Sequence, residues 1–386
     1  MSSGAGLRMV GVSVTDVSDW REPVPQGQWS KFFGALARRF ELLDVIDPEL
    51  SRVVLYLNYA RTFHPDRAHW RARATLNPFI ARKRTEAVQR ALAERAAPFD
   101  VVMQVQTLCA PGFDRGGVPY VLYTDNTMAL TRRHYPAWAP LSDGAAARWM
   151  SYEAEVCRAA AAVFTFSEFA RRSIIEDYGD SPERVVSVVA GANQMLESLG
   201  EKDYAAPRAL FVGRDFERKG GPVLLDAWQS VRAHVPEAEL TIAGPAQAPS
   251  GALPPGVAWV GVVDRAALDE LYRSASVFVL PSLFDPCPNV FREAMGYGVP
   301  CIGTRCCAIP EIIDDGVTGR VVPVGQSEPL AAALAEMLSL PQETAAMGAA
   351  AYASVLQGGR WSDVADRIAA HLEKELDGRP PARRAA

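Results

Sequence analysis

Short apolar runs alternate with longer amphipathic stretches along most of the chain. The runs are rich in valine and isoleucine, and they are continuous, without a regular alternation of apolar and polar positions. This pattern predicts strands buried on both faces, and therefore parallel sheets covered by helices. The predicted strands are LRMVGVSV, RVVLYL, FDVVMQV, VPYVLY, AAVFTF and RVVSVV in the first half, and RALFVG, AELTIAG, GVAWVG, ASVFVLP, GVPCIGT and GRVVPV in the second.

The length of 386 residues exceeds what one hydrophobic core usually serves, so we expect two domains. The strand pattern predicts an α/β class, with two Rossmann-like, doubly wound domains over residues 1–193 and 207–355. The polar segment 194–207 between them is predicted to be a linker, and the tail 377–386 to be disordered. Ligands of such sheets bind at the carboxyl ends of the strands, which here predicts a site in a cleft between the domains.

The amino-acid composition excludes several classes of protein. With 49% hydrophobic and 22% charged residues, the chain is neither largely disordered nor fibrous. A net charge of −5 argues against a nucleic-acid partner. No run of eighteen apolar residues predicts a membrane span, and the N-terminus is typical of a first strand and not of a signal peptide. The six cysteines form no C-x-x-C pair and the histidines are scattered, which predicts a reducing cytoplasm and no structural zinc.

The first stretch with chemical content is RALFVGRDFERKGGPVLLDAW, residues 208–228. A predicted strand ends at Gly213, a charged loop carries Arg214 and Lys219, and Gly220-Gly221-Pro222 opens a helix. A helix N-terminus beside two cations is suited to an anion. The alternative is an ordinary solvated loop between a strand and a helix.

The second stretch places two carboxylates eight positions apart, at Asp285 and Glu293. Pro286 and Pro288 hold the loop extended, and Asn289 is the predicted N-cap of a helix that carries Glu293 in its first turn. Two carboxylates cannot favour a phosphate, but they accept hydrogen bonds from vicinal hydroxyls. For either acid alone, a solvated surface charge is the competing interpretation.

Together the two stretches resemble the retaining glycosyltransferases of family 4, which have the GT-B fold. The carrying motifs are GR-x4-KGG and the acid-x7-acid pattern followed by EAMGYGVPCIGT. AAVFTFSEFARRSIIEDYG and IPEIIDDGVTGRVVPVG are similar to further family segments. The resemblance is strong over about residues 160–325, weaker over 326–372, and only topological before that. It implies a last helix, residues 356–376, that crosses back to the first domain.

The resemblance implies a nucleoside-diphosphate sugar as donor and an acceptor that bears a hydroxyl group. Arg214 and Lys219 would bind the diphosphate and stabilise the charge that develops as it leaves. Asp285 would bind the donor sugar and Glu293 the ribose. Because two fixed cations serve the diphosphate and no D-x-D triplet occurs, we expect neither a metal nor another cofactor. Further contacts with the donor are expected from the main chain at Gly213, Gly244, Val262, Cys287, Pro288, Asn289 and Val290.

Three features depart from the family pattern. Asp285 stands where glutamate is usual, so its reach is shorter by about one methylene. Pro286-Cys287-Pro288 replaces a small glycine in the loop. Cys307-Ala308 takes the place of the usual pair of small residues, and Cys306 precedes it; we expect these vicinal cysteines to be buried and inert.

The first domain carries weaker signals. Gly27 and Gln28 precede a predicted helix that has Phe32 and Phe33 on its apolar face, and they either line the cleft or simply begin the helix. At VLYTDNT, Asp125 and Asn126 stand where the family often has a His-Asp pair. His134 follows and is a candidate to replace that histidine.

Residues 67–95 hold eight basic and two acidic side chains, with Trp70 and Phe79 among them. Transferases of this family that work at membranes use such a face, so contact with an anionic membrane is one interpretation and implies a peripheral location at the inner face. A solvated basic helix or a site for an anionic acceptor are the alternatives.

Two rivals to a hexosyltransferase remain. A nucleotide-sugar 2-epimerase has the same architecture and would convert the donor without an acceptor. A non-catalytic nucleotide-sugar-binding protein would bind without turnover. A dinucleotide dehydrogenase is disfavoured because no G-x-G-x-x-G follows a predicted strand.

Overall fold

The computed structural model describes residues 7–15, 17–22, 27–111 and 118–376. Its contacts divide the chain into two compact units. Unit 1 consists of Met1–Val189 with Trp361–Ala386, and unit 2 is Ala190–Arg360. The predicted disordered tail, 377–386, lies outside the described residues.

Unit 1 contains a six-stranded parallel sheet in the order β2-β1-β3-β4-β5-β6. The direction of strand order reverses between β1 and β3. Three of the strands, β3, β4 and β5, are buried along their whole length, as continuous apolar runs predict. The strands are β1 (Arg8–Val12), β2 (Glu41–Ile46), β3 (Val101–Val105), β4 (Tyr120–Thr124), β5 (Ala162–Thr165) and β6 (Val185–Ser187).

The helices of unit 1 cover this sheet, and the last one comes from the far end of the chain. Phe32 and Phe33 of the first helix are fully buried, as predicted, and the Phe32 ring packs edge-on against Trp361 with centroids 5.8 Å apart. The helices are α1 (Gln28–Leu36), α2 (Arg52–Thr62), α3 (Arg67–Thr75), α4 (Pro78–Ala93), α5 (Met128–His134), α6 (Asp143–Ala159), α7 (Glu168–Glu176) and α14 (Trp361–Leu376).

One predicted strand of unit 1 is wrong. RVVLYL lies in helix α2, and the second strand is instead ELLDVI, whose apolar run is interrupted by Asp44. Ser51 caps α2 by accepting a hydrogen bond from the Val54 N–H, which outweighs the strand preference of the β-branched residues. This helix also buries a polar side chain and exposes an aromatic one, the reverse of the usual pattern. Asn58 is buried and donates to the Ala74 carbonyl oxygen, while Tyr56 is 73% exposed.

Unit 2 contains a second six-stranded parallel sheet, in the order β12-β11-β10-β7-β8-β9. Counted from its first strand this is the 3-2-1-4-5-6 order of a doubly wound fold, with the reversal between β7 and β10. All six strands were predicted from the sequence. They are β7 (Arg208–Val212), β8 (Glu239–Ala243), β9 (Val257–Gly261), β10 (Val277–Leu280), β11 (Cys301–Thr304) and β12 (Gly319–Val322).

The helices of unit 2 alternate with these strands and bury a separate core, in which Trp228, Phe278 and Phe291 are fully buried. The structure therefore confirms the predicted class, with two doubly wound parallel sheets. The helices are α8 (Gly221–His234), α9 (Arg265–Ser274), α10 (Asn289–Gly296), α11 (Ile309–Ile312), α12 (Ser327–Ser339) and α13 (Pro341–Leu356).

The segment predicted as a linker, 194–207, is packed onto unit 2. The Leu196 N–H donates to the Gly296 carbonyl oxygen at 3.0 Å, and the Tyr204 hydroxyl donates to the Gly298 carbonyl oxygen at 2.6 Å. Its polar composition arises because it lies on the surface, and its few apolar and aromatic residues hold it there. Among the described residues, no helix has the length and apolar character needed to cross a bilayer.

Candidate functional site

Three basic residues follow the first strand of unit 2. Arg214 is exposed, whereas Arg218 and Lys219 lie further along the same loop, with side chains 11% and 13% exposed. Arg218 donates to the Phe284 carbonyl oxygen at 2.7 Å and to the Asp215 carboxylate at 2.9 Å. The loop therefore fixes two cations beside the switch point between β7 and β10, where doubly wound sheets bind ligands.

Lys219 and Asp285, to which the sequence assigned separate roles, contact each other directly. The Lys219 Nζ donates to Asp285 Oδ2 at 2.7 Å, and the Arg218 guanidinium lies 3.6 Å from the same oxygen. The carboxylate thus neutralises part of the charge of the two buried cations. With Arg214, Asp215 and the exposed Glu217 included, three cations stand beside three carboxylates, so the loop offers fixed cationic groups without a net positive charge.

The amides at the start of α8 are less available than predicted. The helix begins as expected, with Gly220 at the N-cap in a left-handed conformation, φ 75°. However, the Gly220 N–H donates to the Glu217 carbonyl oxygen, and the Gly221 N–H to that of Phe216. Pro222 has no N–H, so the first turn offers few free donors. The fixed cations, more than a helix end, make this loop suitable for an anion.

Glycines occupy the carboxyl ends of the three neighbouring strands β7, β8 and β9. A Cβ on Gly213 would overlap the Cδ atom of Lys219, so the absence of a side chain lets the lysine stem cross the strand end. Gly244 has φ 108°, and a Cβ there would approach the Gly213 main chain to 2.8 Å. Beyond Gly261, Val262 is 61% exposed. The strand ends therefore form a low edge where a ligand can approach the main chain.

The loop after β10 carries Asp285 and leads into α10. The helix begins at Asn289, and its N-cap is Pro288, with no capping bond from a side chain. The prediction that Asn289 caps the helix is therefore wrong by one position, because Pro288 keeps the extended conformation, φ −73° and ψ 103°. As a result Glu293 is the fifth residue of the helix and lies in its second turn.

Glu293 is buried and held by two partners that the sequence did not indicate. The Asn193 amide donates to Oε1 at 2.8 Å, and the Tyr272 hydroxyl lies 3.2 Å from Oε2. Burial and the neighbouring Glu293 raise the pKa of Tyr272 well above its usual range, so the phenol stays a donor. Both carboxylate oxygens are oriented before any ligand arrives.

The remaining donor-side candidates lie around the same loop. Pro288 is buried, while Cys287 and Val290 are half-buried, and the Arg292 guanidinium contacts the Cys287 Sγ at 3.5 Å. Cys306 and Cys307 are half-buried, contrary to the expectation of fully buried thiols. A hydrogen bond from Cys307 lowers the pKa of Cys306, whereas the same contact and burial raise the pKa of Cys307.

In unit 1 the structure separates the candidates into two groups. Asp125 and Asn126 follow β4 and line a cavity of about 370 Å³ that unit 1 forms by itself. Gly27, Gln28 and His134 do not line it. Gly27 is the N-cap of α1 with φ 74°, and His134 is the exposed last residue of α5.

One group of potential metal ligands occurs among the described residues, although the sequence suggested none. His64, Asp66 and His69 bring their ligand atoms within 4.8 Å of one another. The group is largely exposed, and Asp66 already has a structural function, because it caps α3 by accepting from the His69 N–H at 2.9 Å. These side chains belong to unit 1, whereas Lys219 and Glu293 belong to unit 2.

Several residues of these sites were missed by sequence reasoning. Arg218 could have been found, since it directly precedes Lys219. Asn193 and Tyr272 carry no signal because they reach Glu293 from distant positions in the chain. Gln106, which follows β3, was also missed. It has φ 62°, a conformation that is uncommon for a residue other than glycine and that its amino-acid type does not predict.

Comparison with known proteins gives matches of three kinds. A family model described as "Glycosyl transferases group 1" matches residues 206–340. A phosphatidyl-myo-inositol mannosyltransferase of Mycobacterium leprae (strain TN) is 33% identical over 218 residues, which are 52% of this chain and 56% of that protein. The chain spans about half the length of the first curated relatives that it matches.

Two solved structures share the fold over nearly the whole chain. Sucrose-phosphate synthase from Thermosynechococcus elongatus has a TM-score of 0.73 at 18% identity, covering 97% of this chain and all of the other. The Anabaena protein HepE, solved in complex with UDP-glucose, has a TM-score of 0.63 at 16% identity and covers 95% of this chain and all of its own.

The solved structures show the same fold over nearly the whole chain, and residues 206–340 match the family model of the group 1 glycosyl transferases. More particularly, the matches confirm the resemblance to glycosyltransferase family 4 that the motifs in residues 208–325 indicated. The part of the chain covered by the family model includes Arg214, Lys219, Asp285 and Glu293.

Proposed function

We propose that the protein is a metal-independent, retaining glycosyltransferase that moves a hexose from a nucleoside-diphosphate sugar to an acceptor hydroxyl. One observation carries the proposal. Arg218 and Lys219 are fixed, with Arg214 exposed in the same loop, beside Asp285 at the switch point of the unit 2 sheet. A diphosphate needs this combination of cations, and hydroxyl groups beside it need a carboxylate.

The cations would act on the leaving group. As the bond between the sugar C1 and the diphosphate oxygen breaks, negative charge grows on the diphosphate, and Arg218 and Lys219 stabilise it in a site that excludes much of the water. The acceptor oxygen forms the new bond to C1 on the same face of the sugar, and its proton passes to the departing phosphate oxygen. Two fixed cations would supply the charge stabilisation that a metal provides elsewhere.

The carboxylates would position the donor. Glu293, already oriented by Asn193 and Tyr272, suits the two hydroxyls of a ribose. Asp285 suits the hydroxyls of the transferred sugar, and a bound diphosphate would draw Lys219 away from it. Each carboxylate accepts hydrogen bonds and repels phosphate, which fixes the direction in which the donor lies.

The relatives support a hexose and a nucleotide donor. The Mycobacterium leprae relative is a mannosyltransferase by name, and HepE was solved with UDP-glucose, so both concern hexoses. We extend this to the present chain as a donor class and do not choose a base or a particular hexose.

A thermal-shift panel tests the donor site. Wild-type protein would be mixed with UDP-, GDP-, dTDP- and ADP-sugars in EDTA, beside Lys219→Ala, Glu293→Ala and the control Lys374→Ala, which removes an exposed lysine from unit 1. A donor at a hundred times its Kd adds about 2.7 kcal/mol to the stability of the protein. We expect one base to stabilise the wild type and the control but neither site variant. A shift that requires Mg²⁺, or none with any donor, would contradict the proposal.

Product analysis separates the rivals. A 2-epimerase would convert the donor when no acceptor is present, and a binding protein would show the thermal shift without any turnover. We expect the sugar to be transferred to the acceptor with its anomeric configuration retained. NMR spectroscopy of the product would determine that configuration. An inverted product would contradict the retaining mechanism but not the donor site.

We also propose that residues 67–95, together with the neighbouring helix α2, contact an anionic membrane. Of the eight basic residues, Arg67, Arg71 and Arg82 are exposed, whereas Arg84 is half-buried. The exposed face of α2 adds apolar side chains for the interface, among them Tyr56. Co-sedimentation with phosphatidylglycerol vesicles, lost at high salt and absent with phosphatidylcholine, is expected. Equal binding to both lipids, or to neither, would end this proposal.

A further inference from the structure

Three metal-ligating side chains meet where α2 ends and α3 begins. His64 follows the C-cap of α2, Asp66 is the N-cap of α3, and His69 lies in the first turn of that helix. One ligand atom of each residue lies within 4.8 Å of the other two. The cluster belongs neither to the donor loops of unit 2 nor to the cavity of unit 1.

The spacing of these atoms suits a single cation. His69 Nδ1 lies 2.9 Å from Asp66 Oδ1. A cation with bonds of about 2.0–2.2 Å to nitrogen and oxygen holds neighbouring ligands about 3 Å apart, so this pair needs little movement. On binding, the cation replaces the proton between the two atoms, and the His69 ring takes the tautomer with its proton on Nε2. His64, half-buried in the same loop, is the third ligand.

Two interactions order the histidines in advance. The Asp66 main-chain N–H donates to His64 Nδ1 at 3.1 Å, so this nitrogen has a lone pair directed into the loop. The rings of His64 and His69 are stacked, with centroids 4.7 Å apart and planes 23° from parallel. Side chains that are fixed in this way lose little conformational entropy when a ligand binds.

The helix cap and a bound cation are compatible. Asp66 Oδ1 accepts hydrogen bonds from the main-chain N–H and from the ring of His69, each at 2.9 Å. These bonds lower the pKa of the Asp66 carboxyl, which therefore stays in the ionised form that binds a cation. An ionised carboxylate has about four acceptor positions, so the cap leaves positions for a metal.

The surroundings select the class of cation. The cluster contains one carboxylate, and Arg67 and Arg71 follow it as exposed residues of α3. Mg²⁺ and Ca²⁺ need several oxygen ligands, so a single carboxylate near arginines is a poor site for them. Imidazole nitrogen is instead a ligand of Zn²⁺, Ni²⁺, Co²⁺ and Cu²⁺. Three protein ligands leave the remaining coordination positions to water.

A cation at this position would reinforce the contact between α2 and α3. Trp70 already joins the two helices, because its ring packs edge-on against Tyr59 and Phe63 with centroids 5.7 and 5.6 Å apart. Its indole N–H donates to the Tyr59 carbonyl oxygen at 3.1 Å. The metal would add a link between the end of α2 and the first turn of α3, and so restrain the exposed face of α2.

From these observations we infer that His64, Asp66 and His69 form a binding site for a divalent d-block cation, which clips α2 to α3. The inference goes beyond the proposed function. It is also separate from the proposed transfer step, whose cations and carboxylates belong to unit 2.

Calorimetric titration of the full chain tests the site. The protein would be treated with EDTA, dialysed free of it, and titrated with Zn²⁺, Ni²⁺, Mg²⁺ and Ca²⁺. We expect Zn²⁺ and Ni²⁺ to bind at this site with one ion per chain, and Mg²⁺ and Ca²⁺ to give no heat. Binding should weaken as the pH falls, because a protonated imidazole has no lone pair for a metal.

The six free cysteines are a second source of zinc binding, and alkylation separates the two. Titration would be repeated after the thiols have been blocked with iodoacetamide. An ion that is held by the histidines and Asp66 should bind the alkylated protein with unchanged affinity.

Three variants and one control localise the ion. His69→Ala keeps the main-chain N–H that completes the cap, so the variant should fold, and we expect it and His64→Ala to weaken Zn²⁺ at least about tenfold. Asp66→Asn should also weaken binding, although asparagine caps a helix as well as aspartate does. His234→Ala, which removes an exposed histidine of unit 2, should bind like the wild type. Circular dichroism melting checks that each variant is folded.

Hydrogen–deuterium exchange tests the clip. Zn²⁺ should slow the exchange of main-chain amides in residues 52–75 of the wild type, because a restrained pair of helices opens less often. The same ion should leave exchange in these residues of His69→Ala unchanged. Exchange in unit 2 serves as the internal control and should not respond.

Five outcomes would overturn the inference. These are no binding of Zn²⁺ or Ni²⁺ at millimolar concentrations, equal binding of Mg²⁺, undiminished binding in the folded histidine variants, loss of binding on alkylation, and unchanged exchange in residues 52–75. Failure here is distinct from failure of the proposed function, because the donor panel is measured in EDTA and does not depend on this site.

Discussion

The two sheets of this protein have the same parallel architecture and different side chains at their carboxyl ends. In unit 2 the strand ends carry Arg214, Arg218 and Lys219, with glycines that keep the edge low. In unit 1 the strand ends enclose a cavity with Asp125 and Glu153 and no basic lining residue among those described. Since the fold is shared, the difference comes from a few loop residues, and it teaches that two sheets of the same topology can present different side chains at the edge where ligands bind.

The largest test of this contrast is Lys219→Ala. Removing a cation that stabilises developing charge costs about 10²–10³ in rate, or roughly 3–4 kcal/mol. We expect that loss in kcat/KM for transfer from the donor identified by thermal shift. Lys374→Ala, which removes a lysine of unit 1, should keep wild-type activity. A loss below tenfold in a folded Lys219→Ala variant would remove this lysine from the mechanism.

The next test asks whether the buried carboxylate of Glu153 in unit 1 stabilises the fold. Asp285 in unit 2 is, by contrast, proposed to bind the donor. Glu153→Ala leaves the Met128 N–H and the hydroxyls of Thr107 and Tyr178 without their acceptor, so we expect a loss of about 3 kcal/mol in the free energy of unfolding. Urea unfolding followed by tryptophan fluorescence would measure it.

Binding of the donor to a still-folded Glu153→Ala variant should match the wild type, because that site lies in unit 2. Glu153→Gln is the conservative control and should cost less. If the alanine variant is as stable as the wild type, the buried carboxylate is not the structural element of unit 1 that we describe.

The smallest test uses a lysine of unit 2 that plays no part in the site. Burial lowers the pKa of Lys202 to about 8, and its Nζ donates to the carbonyl oxygens of Tyr272 and Arg273. Between about pH 8 and its ordinary pKa of 10.5 the folded protein releases this proton while the unfolded chain keeps it. The unfolded state then binds more protons, so stability rises with pH.

We expect the free energy of unfolding of the wild type, measured relative to Lys202→Met, to rise by about 1–2 kcal/mol over this range. Urea titrations at several pH values would measure it, and Lys374→Met, exposed in unit 1, should show no such trend. If the stability difference between the wild type and Lys202→Met does not change with pH, the Lys202 ammonium is solvated. The buried cations of unit 2 would then be those of the loop that carries Arg218 and Lys219.

Much of unit 2 could be predicted from the sequence, because its strands are continuous apolar runs and its loops carry recognisable motifs. The start of α8 at Gly220 and the family resemblance are confirmed. The direct pairing of Lys219 with Asp285 was not foreseen, since 66 residues separate them and each had been assigned its own ligand group. Arg218 was overlooked although it precedes Lys219.

The structure of unit 1 was harder to predict from the sequence, for physical reasons. RVVLYL has the composition of a strand, and only the cap at Ser51 and the buried Asn58 show why it forms a helix. Asp125 and Asn126 were identified as candidates, but the cavity they line depends on residues from several elements, and the backbone conformation of Gln106 follows from its tertiary contacts. The polar segment 194–207 was mistaken for a linker because a few long-range contacts outweigh its composition.

The return of α14 to unit 1 has a consequence for the order of events on the ribosome. Unit 2 is one uninterrupted stretch and can be completed while the chain is still growing, whereas α1 waits for Trp361 to cover Phe32 until more than 300 further residues have been made. At about 5–20 residues per second this exposes an aromatic surface for many seconds during synthesis. The first unit to be translated is thus the last to be finished, and nascent chains of unit 1 should be substrates for chaperones.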